Sequence, residues 1–490
     1  MKKRQIDLIL IFVGRVVIAV QSLVAVRLST AMLEPNEIGR VNLVLSVTSW
    51  FVLLLISPVN NYVFRQTVEW YAEKKLNEVL QRFGLFLAGV AVLATAILAL
   101  VHFTIGIGTP IHMGWLLWLV IASLLFNTLN VTFITILNTL GYRSLYVIFM
   151  NLSLWLGLGA ALGLIVWGGK QAEYWMTGLL LGQIAVMIPS GLAILKLPKQ
   201  QSVQFIKSGN TAGFDVRSVF VFSWPLIITT GFYWMQTNGY RFVLVGFTDA
   251  ATIGLFTIGL TIGVAPMKMF ETVFTEYYQP IFYRDIAFTD THQKAQAWNR
   301  YISAYFPSII LMGSFIGFGG PFLARLLVSE SFHQVSWLSL WGVLTQLALM
   351  VYAAYVSFSF ALLDTRRLMI SNFFGALVAI GGTLLLAPWQ PLLGTAIALF
   401  LAMFVTMLIT AFNLCIDFPL RLPWRRLGKA GALALPLMLM MELLSRIFLD
   451  PTVLQSFMSL TITGIYMLFA QFILAREWIF SKSSIVKTQN

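Results

Sequence analysis

Three arginines, Arg15, Arg27 and Arg241, stand inside long apolar runs of the 490-residue chain. A guanidinium is planar and always charged, and its fork of N–H donors can grip a phosphate or pyrophosphate through two oxygens. An arginine at the centre of a membrane span costs about 2.5–3.5 kcal/mol on insertion scales, so such residues face a bundle interior or a water-filled cavity. Arg15 lies well inside its run, with Ser22 and Ser29 following at heptad spacing on the same face. Arg241 closes a polar stripe: on a helix, Ser223, Thr230, Thr237, Asn238 and Arg241 fall within about 100° of one another. Arg15, Asn238 and Arg241 are therefore expected to line an aqueous cavity and attract an anion. The competing role is a structural partnership for Arg15 and snorkelling to the outer interface for Arg241. Arg27 sits nearer its helix end, where cavity lining and snorkelling compete evenly. Arg40 and Arg325 read as interfacial anchors.

Uncharged polar faces form a second group. Asn42, Ser46, Ser49, Ser57 and Asn60 share one face, with Pro58 as an expected kink, and Asn127, Asn130, Thr135 and Asn138 follow in a later run. Amides and hydroxyls donate and accept without fixed charge, as a sugar requires, and Asn60 and Asn130 are the named candidates for that contact. The same groups also join helices in lipid, at about 0.6–2 kcal/mol each. Lys268 and Glu271, three apart just after Pro266, are expected to pair on one helix face. Glu271 is then either a protonatable coupling site, biased towards its charged form by Lys268, or half of a mutually neutralised pair. Glu442 and Arg446 have the neutralised reading.

Other chemistry is excluded. The four histidines lack metal-ligand spacing, and Gly168-Gly169-Lys170 lacks the rest of a phosphate loop, so neither a metal nor a nucleotide cofactor is expected. The single Cys415 excludes a disulfide framework. Gly159-xxx-Gly163, Gly178-xxx-Gly182 and Gly259-xxx-Gly263 are helix-packing spacings. No catalytic residue is expected, and any transport, lacking a nucleotide site, would draw on a gradient, on substrate mass action or on a separate partner.

The elements that carry these residues follow from composition. Apolar residues make up 59% of the chain and charged residues 10%, against roughly 25% charged in soluble domains. The mean hydropathy is +0.84, and apolar runs of about twenty residues recur. Fourteen candidate helices are expected, at about 6–33, 41–63, 83–104, 114–139, 145–167, 174–195, 218–247, 252–275, 302–327, 337–362, 368–387, 393–416, 430–448 and 454–475. In lipid each backbone polar group must be satisfied within its own segment, so the chain is an all-α polytopic membrane protein.

Net charge is +13, and its placement decides what it means. Of 32 Lys and Arg, 24 fall on alternate connections counted from the N-terminus, one (Lys170) falls on the opposite side, and seven lie in or at the ends of spans. The positive-inside rule places both termini in the cytoplasm, and nucleic acid is not an expected partner. External loops are short; the longest hydrophilic stretches, 64–82, 196–217 and 276–300, are cytoplasmic.

The chain also repeats itself. Glu34-Pro35-Asn36-Glu37-Ile38-Gly39-Arg40 after the first helix and Asp249-Ala250-Ala251-Thr252-Ile253-Gly254 after the seventh match at an offset of 215 residues. Each has an acid first, Ile-Gly four and five residues later, and an arginine (Arg27, Arg241) upstream. Gly141-Tyr142-Arg143-Ser144-Leu145 corresponds to Asp364-Thr365-Arg366-Arg367-Leu368. Two six-helix lobes related by internal duplication follow, with two helices added at the C-terminus. The expected division is an N-lobe at 1–195, a cytoplasmic linker at 196–217, a C-lobe at 218–416, the added helices at 417–475 and a cytoplasmic tail at 476–490.

Ser223-Trp224-Pro225-Leu226, Tyr240-Arg241-Phe242-Val243-Leu244 and Ile253-Gly254-Leu255-Phe256 resemble the second half of polysaccharide flippases. Glu34-Pro35-Asn36-Glu37-Ile38-Gly39 resembles the matching turn of their first half. Over roughly residues 1–475 the chain is similar to the Wzx-type O-antigen flippases, the polysaccharide transporter family of the multidrug/oligosaccharidyl-lipid/polysaccharide (MOP) exporter superfamily. Family members commonly carry an acid before the arginine of the seventh-helix motif, where this chain has Tyr240. The resemblance implies two lobes around a cavity that faces each side of a bacterial inner membrane in turn. It implies as cargo a polyprenyl-pyrophosphate-linked oligosaccharide for lipopolysaccharide O-antigen or a similar polysaccharide, and as partners membrane lipid and the polymerase and chain-length machinery. Arg15, Arg241 and Arg27 would attract the pyrophosphate. The alternative is a multidrug or cation exporter of the same superfamily, disfavoured by the scarcity of acids inside spans. A polysaccharide polymerase or ligase is disfavoured by the short external loops.

Overall fold

The computed structural model describes residues 2–105, 112–197, 216–286, 291–362 and 366–486, and among these every regular element is helical. The long helices are α1 (Lys2–Met32), α2 (Pro35–Ala72), α3 (Leu76–Ile105), α4 (Met113–Thr139), α5 (Arg143–Gly168), α6 (Ala172–Leu195) and α7 (Val216–Trp234, continued through Met235–Gly239 and Tyr240–Val245). They continue as α8 (Ala250–Asp285), α9 (Thr291–Phe318), α10 (Leu338–Ala361), α11 (Arg366–Leu386), α12 (Pro391–Asp417), α13 (Trp424–Ile447) and α14 (Val453–Val486). A short helix, Gly320–Leu327, and a 3-10 turn, Glu330–Val335, lie between α9 and α10.

Among the described residues, thirteen helices are long and apolar enough to cross a membrane. The fourteenth expected span corresponds to α7, which carries Gln236, Thr237, Asn238 and Arg241. The chain is thus a multi-pass, all-helical membrane protein. Helix and span are not coextensive: α8 runs past the expected end near 275 to Asp285, and α14 runs through the expected tail to Val486. Hydropathy marks where lipid ends, whereas a helix can continue into water on its own hydrogen bonds. Most of the expected linker, 198–215, lies outside the described residues. So do Asp364 and Thr365 of the second repeat turn.

Two compact units form, one of Met1–Ala25 with Met32–Trp234, the other of Val26–Ala31 with Met235–Asn490. In the first, Gly178 and Gly182 of α6 lie on the backbone of α5: a Cβ at Gly182 would stand 2.1 Å from the Gly157 nitrogen, and one at Gly178 would stand 2.2 Å from the Ala161 Cα. In the second, α11 and α12 form the matching hairpin, with Gly394 against the Leu386 carbonyl and Gly382 against Ala398. Ile38-Gly39 and Ile253-Gly254 are buried at the same place in α2 and α8, so the repeated pair is a packing feature of both halves. Gly159 and Gly163 do not pack: nothing lies within 4 Å of a Cβ at either, and the contact runs through Gly157 and Ala161 instead. A spacing of four identifies a stripe along a helix without saying which stripe meets the neighbour.

Among the described residues three π turns interrupt the helices, at Val52–Ile56 in α2, Ser123–Asn127 in α4 and Met235–Gly239 in α7. The first lies just ahead of Pro58, where the kink is expected. Pro58 has no N–H to give, and Ser57 N–H bonds back to the Val52 carbonyl, which leaves the Leu53 carbonyl without a donor from its own helix. The Thr230 hydroxyl of α7 stands 2.9 Å from that carbonyl, and it also reaches Leu226 of its own helix at 2.8 Å. Trp234 Nε1 donates nearby to the Ser46 carbonyl and the Ser49 hydroxyl, at 3.1 and 3.0 Å.

The second unit is filled differently. Phe274 stacks on Tyr278 with centroids 4.2 Å apart and meets Tyr305 at 4.8 Å, and Tyr305 stacks on Tyr301 at 5.5 Å. Trp298, fully buried, meets Tyr355 at 4.9 Å and donates to the Ala354 carbonyl. Such rings fill the space between α8, α9 and α10 with large apolar area.

Candidate functional site

In the first unit Gly14 brings α1 against α5, where a Cβ would stand 2.5 Å from Val147. One residue on, the Arg15 guanidinium lies 5.8 Å from the centroid of the Tyr146 ring, a cation–π distance. Tyr146 also lines a cavity of about 240 Å³ shared with Asn127, Asn130, Thr135, Ser153 and Gln183. Asn130 is buried and its amide donates to Ser153 at 3.1 Å, while Asn130 Oδ1 and Gln183 Oε1 are buried without a hydrogen-bond partner. An unmet buried acceptor costs about 1–3 kcal/mol, and the cavity is roomy enough for water or a ligand donor to meet both.

The expected sugar-binding face of α2 is largely committed to the protein itself. Asn42 donates to the Ile38 carbonyl, Ser46 to Asn42 and Ser49 to Ser46. Asn60 Oδ1 accepts from Thr132 of α4 at 3.1 Å. Ser22 and Ser29 likewise bond back to Ala19 and Val26 of α1.

In the second unit the π turn of α7 builds the site. It sends Gln236 inward to Thr406 of α12, at 2.9 Å, and leaves Thr237, Asn238 and Arg241 together. Arg241 Nη1 donates to Asn238 Oδ1 at 2.9 Å, and the Asn238 amide donates to Thr237 at 3.0 Å. The guanidinium lies 5.3 Å from the centroid of the Tyr240 ring, and Tyr240 rests edge-on against Phe256 at 5.8 Å. An aromatic face thus stands where the resemblance would have placed an acid.

Arg27 has a different setting. It donates to the Val328 carbonyl, Ser329 donates to the Thr30 carbonyl, and the Ser329 amide reaches Thr30 Oγ1 at 3.2 Å. His333 Nε2 lies 3.3 Å from the same Val328 carbonyl. Burial, then the charges of Arg325 and Arg27, hold the imidazole below its usual pKa. Arg325 is ion-paired with Asp450, and Arg40 with Glu37 at 3.1 Å. Glu37 also accepts the Ala172 N–H at 2.8 Å, capping α6. Asp249 accepts from the Thr252 amide and hydroxyl at 2.9 and 2.6 Å, which holds its carboxyl below the usual range. Its counterpart Glu34 makes no side-chain cap bond.

Lys268 and Glu271 do not pair. Glu271 Oε2 accepts the Gln346 amide of α10 at 2.8 Å, and Lys268 is exposed on α8. Spacing puts the two on one face, but a neutral donor from a neighbouring helix satisfies the acid without burying the ammonium. Glu442 and Arg446 do pair, at 2.9 Å. Sequence reasoning missed Tyr146, Ser153, Gln183 and Gln346. For Gln183 and Gln346 the available signal was a lone amide in a long apolar helix.

An all-helical, multi-pass chain with arginines and amides inside its spans defines the class of polytopic membrane proteins with a polar interior. No family model matches the sequence, and no curated protein matches it. Its fold resembles those of solved membrane transporters. It is similar to lipid II flippase MurJ in an inward closed conformation, with a TM-score of 0.66 at 14% identity over 97% of this chain and 99% of that one. It is similar to an inward-facing multidrug resistance MATE family transporter, with a TM-score of 0.60 at 13% identity over 82% of this chain and 96% of that one. It is also similar to a MOP superfamily transporter from Pyrococcus furiosus with a binding pocket of reverse polarity, with a TM-score of 0.55 at 14% identity over 83% of this chain and 93% of that one.

Proposed function

We propose that the protein is a flippase that carries a polyprenyl-pyrophosphate-linked oligosaccharide, such as an O-antigen repeat unit, from the cytoplasmic to the outer leaflet of a bacterial inner membrane. It is a transporter and not an enzyme, working by alternating access between two lobes. The observation that carries this reading is that each unit holds an arginine of a membrane-spanning helix over an aromatic ring, Arg15 on Tyr146 and Arg241 on Tyr240, the latter also donating to the Asn238 amide oxygen. Neutral amide partners can yield to a stronger acceptor, and a pyrophosphate offers bidentate oxygens. The fold shared with a lipid II flippase over nearly the whole of both chains supports a lipid-linked cargo. Asn60 and Asn130 contribute hydrogen bonds to the sugar, and the carrier chain stays in lipid. An inward H+ or Na+ gradient is coupled through Glu271, which Gln346 orients; Lys268 contributes a positive field rather than a direct contact. The flipped unit passes to a polymerase and its chain-length partner.

In a strain lacking the protein, Arg15→Ala and Arg241→Ala should each fail to restore surface polysaccharide while the protein remains at normal level in the membrane. Normal polysaccharide from both variants would remove the assignment. The MATE neighbours favour a second reading, a multidrug or cation exporter. That reading gains if the wild-type protein raises tolerance to cationic drugs while lipid-linked saccharide does not accumulate in the deletion strain.

A further inference from the structure

Between α12 and α13 the chain crosses α9 in a strap, residues 418–423. With the first turns of α13 it carries Arg421, Arg425, Arg426 and Lys429. Asn299 of α9 pins the strap from both sides: its amide donates to the Pro419 carbonyl at 3.2 Å, and its Oδ1 accepts the Arg421 N–H at 2.8 Å. Arg426 donates to the Ser303 carbonyl and hydroxyl at 3.3 and 3.2 Å. So held, Leu422 and Leu427 close the end of an apolar groove of about 370 Å³ walled by α9, α10 and α12.

The groove has the depth of one leaflet. Its α12 wall runs from Phe400 to Ala411, about 16 Å at ~1.5 Å per residue and close to half of a ~30 Å hydrocarbon core. Phe404 and Leu408 on that wall are exposed, so the groove opens sideways into lipid. At its strap end Arg421, Arg425 and Lys429 are exposed, and Trp424, 72% exposed, stands among them as interfacial aromatics do. Asp417 is engaged by Arg367, and Asp285 by Arg300 at 3.7 Å, so these two carboxylates are matched by other bases. The charge split places this end in the cytoplasm.

We propose that the groove and strap bind one anionic phospholipid of the cytoplasmic leaflet, an acyl chain in the groove and the phosphate against Arg421 and Arg425. The site is separate from the proposed cargo path and does not depend on it. A polyprenyl chain is longer than a leaflet and would overrun the groove, and the exposed charge of Arg421 and Arg425 favours an anionic headgroup over a zwitterionic one.

The test is native mass spectrometry of the full-length protein, titrated with phosphatidylglycerol and phosphatidylethanolamine of the same acyl chains. One phosphatidylglycerol should be retained in preference to phosphatidylethanolamine. R421Q/R425Q should weaken its retention by roughly 10-fold or more, the scale expected for two bases at an anionic headgroup. Ala411→Phe, which fills the groove, should lower retention of both lipids. Because R421Q/R425Q alters only exposed groups, its melting temperature in neutral detergent should match wild type, which separates lost binding from lost fold. Equal retention of the two lipids by wild type, or undiminished phosphatidylglycerol on R421Q/R425Q, would overturn the proposal. So would displacement of phosphatidylglycerol by a polyprenyl phosphate at equal concentration.

Discussion

Arg27 and Arg241 each stand upstream of one of two similar turns in the sequence, yet the fold holds them differently. Arg27 is bound to a backbone carbonyl, that of Val328, in a seam closed by Thr30 and Ser329. Arg241 is bound to the side-chain amide of Asn238, which is itself held by Thr237. A backbone carbonyl cannot rotate away, so breaking that bond strands a polar group. A side-chain amide can turn and surrender its donor to a better acceptor. The comparison teaches that position in a repeat does not assign a role to a buried charge. The exchangeability of its partner does.

The sharpest way to break this contrast is to keep charge and remove geometry. Arg241→Lys should lower lipid-linked saccharide export by roughly 10-fold or more, because an ammonium cannot reproduce a bidentate grip. Arg27→Lys should leave export within about two-fold while lowering stability by about 1–3 kcal/mol, the cost of a compromised buried hydrogen bond. Thermal unfolding of the purified protein beside an export assay reads both, and a reversed pattern would exchange the two roles. A smaller effect should come from the same seam. His333 is held below its usual pKa, so protons bind the unfolded state more readily than the folded one. Its contribution to stability is complete above about pH 6.5 and is lost as pH falls through the lower folded value. Of the charged groups around it, Arg325 and Arg27 oppose the imidazolium and Glu330 favours it. The melting temperature should therefore fall below pH 6.5 in wild type by more than in His333→Gln.

The same contrast shows what sequence can and cannot disclose. Spans are legible because a bilayer demands about twenty apolar residues in a row. Pro58 announces a kink through its missing N–H. The π turn at Met235–Gly239 has no such announcement, and it sends Gln236 to Thr406 while leaving Asn238 beside Arg241. Lys268 and Glu271 illustrate the other limit. Their spacing permits a pair, but the choice between Lys268 and Gln346 is made by where α10 lies. Pockets such as the one around Asn130 and Gln183 are assembled from three helices, so no single helix shows them.

The central claim is that Arg15 and Arg241 bind the pyrophosphate of a lipid-linked sugar. The most direct test is a leaflet-resolved assay in proteoliposomes containing the purified protein. A polyprenyl-pyrophosphate-linked oligosaccharide and the same sugar on an uncharged polyprenyl carrier are compared. Wild type should move the first across the bilayer and not the second, and Arg15→Ala and Arg241→Ala should move neither. Equal movement of both lipids, or unimpaired movement by the two variants, would contradict the account.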